Sequence, residues 1–293
     1  MRKMIFMFVA IAAAMMTLSG KTVRRTLHIF NGTVPETETL AVGTMEFVYD
    51  YSYCVDTTRS IDEDVASDRM LLQIAPGGMS KFSSYKNLTV DSIINMSTVD
   101  QVMEAASSGK LSNGDPLIIY KNYPDGKLTQ VEKVCQDWFR YEEDTPTFDW
   151  EFTDSVANVL GYECRLAKCT FRGREWRAFY AEEIPVMDGP WKLQGLPGLI
   201  MKAEDSKGEY SFECIGIKSE ASRPITLYKV PYNVTGRRKF YDAKYNYEIN
   251  PYAYFEATTG GHVTVTDEAG NPSLDAYDPI DLQFDYIERD WRE

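Results

Sequence analysis

Gly189-Pro190-Trp191-Lys192-Leu193-Gln194-Gly195-Leu196-Pro197-Gly198-Leu199-Ile200 is the stretch on which the reading of this chain turns. Its glycines and prolines fix turns that other residues resist. Between them stand Trp191, Leu193, Leu196, Leu199 and Ile200, apolar bulk that has to be buried. Two readings are open. In one, Pro190-Trp191 closes a turn, Trp191 fills the core, and Gly195 and Gly198 bend the backbone into a strand that starts at Leu199. In the other, Trp191, Gly195, Leu196, Pro197, Gly198 and Leu199 line an apolar ligand pocket.

Outward from this ribbon the pattern is extended on both sides. Residues 161–172, 176–182, 199–203 and 209–218 are rich in β-branched and aromatic residues and read as four strands. Arg172-Gly173-Arg174-Glu175 and Asp205-Ser206-Lys207-Gly208 supply turns between them. Strands joined by such short turns pair antiparallel. The expectation for Arg172 and Arg174 is a hairpin turn with solvated guanidinium groups, with anion binding as the alternative.

Toward the N-terminus, residues 40–55 read as one or two strands and 67–75 as another, ended by Pro76-Gly77-Gly78. Residues 81–110 carry apolar positions at Leu88, Val90, Ile93, Ile94, Met96, Val99, Val102 and Met103, whose spacing predicts helix. Pro116–Tyr120 reads as strand, Tyr123–Lys127 as turn and Leu128–Tyr141 as the return strand of a hairpin. Phe148–Phe152 is extended, and residues 154–158 read as a turn or helical loop. Past Pro224, Thr235 is placed to cap a short helix and Pro251 to end it. The cations Arg237, Arg238, Lys239 and Lys244 then read as its solvated face with tyrosines packing inward, or as a binding face for an acidic or glycan ligand. Asn31-Gly32-Thr33 and the glycine-rich residues 256–275 read as turn and loop. The fold class is mainly β (α+β): a curved antiparallel sheet or half-barrel with one or two helices packed on it.

The first twenty residues have the form of a secretory signal. Arg2 and Lys3 precede an apolar run from Met4 to Met16, and small residues lead to Gly20. Residues 21–293 then form a single extracytoplasmic domain, periplasmic or at the cell surface, with no transmembrane segment after signal removal. The net charge of -13 repels phosphate backbones and excludes nucleic acid as a natural partner. Export permits disulfides. Cys164 and Cys169 lie about 16 Å apart along a strand, beyond bonding reach. Pairing of either with Cys135 or Cys214, or five free thiols including Cys54, stays open.

Further landmarks accompany the ribbon: Ile119-Tyr120-Lys121-Asn122-Tyr123, Trp150, Gly161-Tyr162-Glu163-Cys164, Phe171-Arg172-Gly173-Arg174, Ile184-Pro185 and Asp278-Pro279-Ile280-Asp281-Leu282. In this order they resemble the GLPGLI family of exported bacterial proteins. The resemblance is specific from Trp150 to Ala203 and weak before Ala75. It implies bacterial export and a β-rich single domain, and no defined chemistry. The order of elements is also similar to the half-barrel of periplasmic lipoprotein carriers.

Catalytic motifs do not emerge. The histidines are His28 and His262, and neither sits in a Ser/His/Asp or Cys/His pattern. Gly-x-Ser-x-Gly, His-Glu-x-x-His, paired Cys-x-x-Cys, EF-hand and P-loop spacings do not occur. Glu142-Glu143-Asp144 and Glu182-Glu183 read as solvated charge runs. The expectation is therefore no catalytic, cofactor or metal residue and no cofactor. The first functional expectation is an exported, non-enzymatic binding or accessory protein for an apolar or peptide-like ligand, or for an envelope protein. A carboxylate-dependent hydrolase and a structural component of a cell-envelope complex are the alternatives.

Overall fold

The computed structural model describes residues 34–57, 65–107, 113–264 and 278–293. The signal segment, His28, the Asn31–Thr33 turn and Gly270-Asn271-Pro272 lie outside them.

The N-terminal extended region is two strands, β1 (Thr37–Val42) and β2 (Met45–Cys54), followed by β3 (Val65–Ile74) and β4 (Ser80–Ser84). Residues 81–84 were expected to open a helix. They form a strand instead, because β4 is hydrogen-bonded between β3 and β5 (Ile118–Lys121). Helix begins only where the apolar spacing does. The Ser84 hydroxyl accepts from the Asn87 N–H at 3.2 Å and starts α1 (Tyr85–Met96). Thr98 and Gln101 exchange side-chain and backbone hydrogen bonds, a capping box that starts α2 (Val99–Ser107) and divides the expected single helix.

The hairpin after β5 is present, but residues 128–141 are two strands. β6 (Lys127–Val134) turns at Cys135, whose φ is 55°, into β7 (Asp137–Asp144). Residues 154–158 likewise belong to a strand, β8 (Glu151–Val159). A bulge between Phe152 and Val156 breaks the alternation that a plain strand would show. The four central strands are β9 (Tyr162–Phe171), β10 (Arg174–Ala181), β11 (Leu199–Asp205) and β12 (Tyr210–Lys218), each antiparallel to its neighbours. β13 (Pro224–Tyr228) and β14 (Tyr232–Val234) precede α3 (Arg237–Ile249) and α4 (Pro251–Thr259). Gly236, not Thr235, occupies the cap of α3. α3 ends just before Pro251, as expected, and Pro251 also opens a further helix: its missing N–H is harmless in a first turn, and Asn250 Oδ1 accepts from the Ala253 N–H at 3.0 Å.

Twelve strands form one open sheet in the order β14-β7-β6-β5-β4-β3-β2-β12-β11-β10-β9-β8, antiparallel except for the β14–β7 pair. One face carries the main core, with Tyr49, Met70, Phe82, Ile119, Trp176 and Phe212. Behind β5 and β6 a second sheet, β1 with β13, packs Ile225 and Leu227 on Ile118, Tyr120 and Val131. All four residues of β5 are buried because both of its faces are covered. Over β6 and β7, α3 seats Phe240 and Tyr241 against Val134 and Tyr141, together with Trp291 near the C-terminus. All five cysteines are free, and burial pushes the Cys169 thiol up to about 12, leaving it inert.

Candidate functional site

The ribbon occupies the break between β10 and β11 and lies in the core. Its ends are closed by the Leu199 N–H donating to the Ile184 carbonyl at 3.0 Å, and the Ile200 N–H to the Asp188 carbonyl at 3.0 Å. The expected turn is there, with the Leu193 N–H donating to the Pro190 carbonyl at 3.1 Å. Trp191, Leu193, Leu196, Leu199 and Ile200 are fully buried. Trp191 packs 5.4 Å from Trp176 and 5.5 Å from Phe171 between ring centroids. Gly198 is obligatory: a Cβ there would stand 2.2 Å from the Ala181 carbonyl oxygen. Of the six residues singled out in the sequence, only Gly195 and Pro197 reach the surface.

Two buried lysines hold the ribbon in place. Lys121 Nζ, on β5, meets Asp188 Oδ1 at 2.5 Å and the carbonyls of Gly189 and Leu193 at 2.8 and 3.1 Å. Its three donors thus have three acceptors. Burial lowers its pKa, against the opposing pull of Asp188. Lys192, inside the ribbon, points into a charged cluster beneath α3. Its Nζ lies 3.0 Å from the Tyr141 hydroxyl, 2.5 Å from Glu143 Oε1 and 2.6 Å from Glu288 Oε1. The last is an ion contact off the hydrogen-bond axis. Arg172 binds Glu143 and Arg237 binds Glu288 and Asp290. Burial raises the Glu288 pKa, but Lys192, Arg172 and Arg237 outweigh it and hold the carboxyl below the usual range.

Arg174 is equally enclosed. It contacts Asp205 and Glu209 at 2.7 Å each and donates to the carbonyls of Tyr286 and Ile287. The arginines around Gly173 are therefore clamps on the C-terminal segment rather than solvated turn residues, and Glu143 is a half-buried ion-pair partner rather than part of a solvated run. Lys244 of α3 reaches Glu132 Oε1 at 2.5 Å, so this member of the basic patch is internal as well. Only the exposed Glu182-Glu183 pair matches the expected solvated run. Sequence reasoning missed these ions because a lysine at Lys121 or Lys192 inside an apolar run was the sole trace of a charge facing inward.

With the ribbon filling the core, the open ground lies beside it. Phe148, Trp150, Met187, Gln194 and Gly195 line a groove of about 380 Å³. Trp150 Nε1 donates to the Gln194 carbonyl at 3.0 Å, fixing the indole against the ribbon, and Phe148 stacks on it at 5.4 Å. The groove runs into β8, the terminal strand of the large sheet, whose residues through Asn158 are exposed or half-buried. Phe152 is 62% exposed and Val156 59% along this edge, Leu160 is 48% exposed at the turn that ends it, and Met187 is 63% exposed in the groove. The alternation Phe148-Asp149-Trp150-Glu151-Phe152 was the readable signal for it. The opposite end of the sheet closes with the three-residue β14. A second groove of about 650 Å³, between α1 and strands β2 and β3, has a mixed lining that includes Tyr85, Val90 and the Asp50–Arg69 pair at 3.7 Å.

Among the described residues no cluster of His, Cys, Asp and Glu suits a metal ion, and no helix is long and apolar enough to cross a membrane. No family model and no curated protein matches the chain. Solved structures described as PNGF-II, in P21 and C2 crystal forms, are similar at a TM-score of 0.45 with 13% and 12% identity. They cover 68% of this chain, which spans only 32% of theirs.

Proposed function

We propose that this chain is an exported, non-enzymatic binding or accessory protein of the GLPGLI type that receives an extended apolar or peptide-like ligand along β8 and the Trp150 groove. The observation that carries this reading is the exposure of Phe152 and Val156 along the one long edge of the sheet, with Leu160 at its turn and Met187 in the adjoining groove. Apolar side chains clustered beside unpaired strand backbone are the usual dress of a surface that takes up another strand. Burial of Trp191, Leu196 and Leu199 in the core favours this rim over a pocket lined by those residues. Against hydrolysis by carboxylates, the buried acids Glu288, Asp205 and Glu209 and the half-buried Glu143 each already face a cation.

The test is site-specific photo-cross-linking in cells of the natural host. A photoreactive side chain at position 152 or 187 of the full chain is expected to trap a discrete ligand, while one at exposed Val234 is not. No adduct at 152 and 187, or equal labelling at 234, contradicts the reading. Fractionation of the same cells tests export: recovery of the uncleaved chain in the cytoplasm removes that part of the proposal.

A further inference from the structure

The charge along the same edge says what kind of segment would lie there. From Tyr141 to Cys164 the chain contains Glu142, Glu143, Asp144, Asp149, Glu151, Asp154 and Glu163 and not one lysine or arginine. Glu142, Glu143 and Asp144 are satisfied by Arg140, by Lys192 with Arg172, and by Lys127. Asp149, Glu151 and Asp154 are exposed, and among the described residues no cation stands within ion-pairing distance of them. The nearest cations in the register belong to β9. Arg165 pairs at 3.7 Å with Glu182, and Lys168, exposed like Glu151, lies directly across from it in the register without an ion-pair contact.

Extended backbone sends successive side chains to opposite faces. Phe148, Trp150 and Phe152 therefore lie on one side of the strand, where Phe152 meets Tyr180 edge-on, and Asp149 and Glu151 lie on the other. A strand added antiparallel to this edge would meet apolar groups on one face and carboxylates on the next. A second copy of this chain is a poor occupant. It would bring a second acidic edge up against Asp149 and Glu151, in a protein whose net charge is already -13.

Resting on the edge-binding reading above, we infer that the ligand of β8 is an extended polypeptide segment of a partner protein in which apolar residues alternate with lysine or arginine. The apolar positions sit on the Phe152 side, one of them in the Trp150–Met187 groove, and the cations sit over Asp149 and Glu151.

The experiment uses the full chain and three synthetic peptides nine residues long, the length of β8. They share apolar residues at alternate positions and carry Lys, Ser or Glu between them. Binding is measured by calorimetry, and its place by hydrogen exchange of the β8 amides. The Lys peptide is expected to slow exchange within Phe152–Val159 and to bind about tenfold tighter than the Ser peptide, an advantage that fades as salt rises. The Asp149→Asn, Glu151→Gln double variant, altered only at exposed positions, is expected to lose that advantage while still binding the Ser peptide. Equal protection of β8 by the Ser or Glu peptide overturns the charge inference and leaves the edge reading standing. Absence of β8 protection with every peptide, or protection located elsewhere, overturns both.

Discussion

Replacing Lys121 by methionine removes one ammonium and leaves nearly the same volume of side chain. What it strands can be counted. Asp188, with its side chain about one-tenth exposed, loses its cation and keeps one donor, the Gly189 N–H at 2.7 Å. The Gly189 and Leu193 carbonyls lose the bonds that tied the ribbon to β5. Removing one partner of a buried pair costs about 3–5 kcal/mol, because the other charge stays behind in a poor solvent. Asp188→Asn keeps an acceptor for the Gly189 amide and leaves the ammonium two carbonyls, so its cost is smaller, about 2 kcal/mol. The double variant has no stranded charge. It should lose less than the sum of the two single changes, by about 2 kcal/mol. Urea unfolding at neutral pH measures this, with midpoints falling at unchanged slope. A loss below about 1 kcal/mol for Lys121→Met, or strict additivity in the cycle, refutes the view that this pair anchors the ribbon.

Three further outcomes follow from named contacts. Gly198→Ala drives a Cβ into the Ala181 carbonyl at a φ of +157°, and should cost about 3 kcal/mol or more in thermal unfolding; Gly236→Ala, with nothing within 4 Å, should stay within about 1 kcal/mol. Glu288→Gln removes the carboxyl shared by Lys192, Arg172 and Arg237, and should make the chain near residues 284–292 the first site of limited proteolysis. Because the folded pKa of Glu288 lies below the ordinary carboxylate value, its contribution is present above that value and lost as pH falls, so wild type and variant should converge in acid. Lys81, buried on the far face and donating to the Thr226 carbonyl at 3.0 Å, has its pKa lowered by burial from 10.5 to about 8, with Asp91 opposing. Between those values the unfolded chain binds the extra proton, so stability from this group rises with pH; Lys81→Met should flatten the unfolding free energy in that window, and an unchanged profile contradicts the assignment.

The strands around the ribbon were legible because both signals for them are local. Aromatic and β-branched residues favour the pleat, and glycine-bearing turns such as Arg172–Glu175 and Asp205–Gly208 mark the ends. The burial of Trp191 and Leu196 followed from their size alone. The errors share a cause, which is that a neighbour decided the matter. Residues 81–84 are a strand because β3 and β5 flank them, and residues 154–158 stay in β8 through a bulge that periodicity does not encode. A second helix follows where α3 ends at Pro251 because Asn250 can cap it. The inward-facing ions were the least legible feature. A charged residue reads as solvated until the fold brings its partner from far along the chain, as it brings Asp188 to Lys121 and Glu288 to Lys192. The rim at β8 stood between these cases: its apolar–acidic alternation is in the sequence, but that it ends the sheet is a fact of topology.

The central claim is that residues 184–200 are an internal wall and that β8 is the surface left open. Residue-resolved hydrogen exchange of the full chain without ligand tests this most directly. The amides of Leu193, Leu199 and Ile200, which donate inside the ribbon, should be protected nearly as strongly as those of β10 and β12, while exposed amides of Glu151–Asn158 exchange early. Ribbon amides exchanging at loop rates, with β8 protected, would contradict the account.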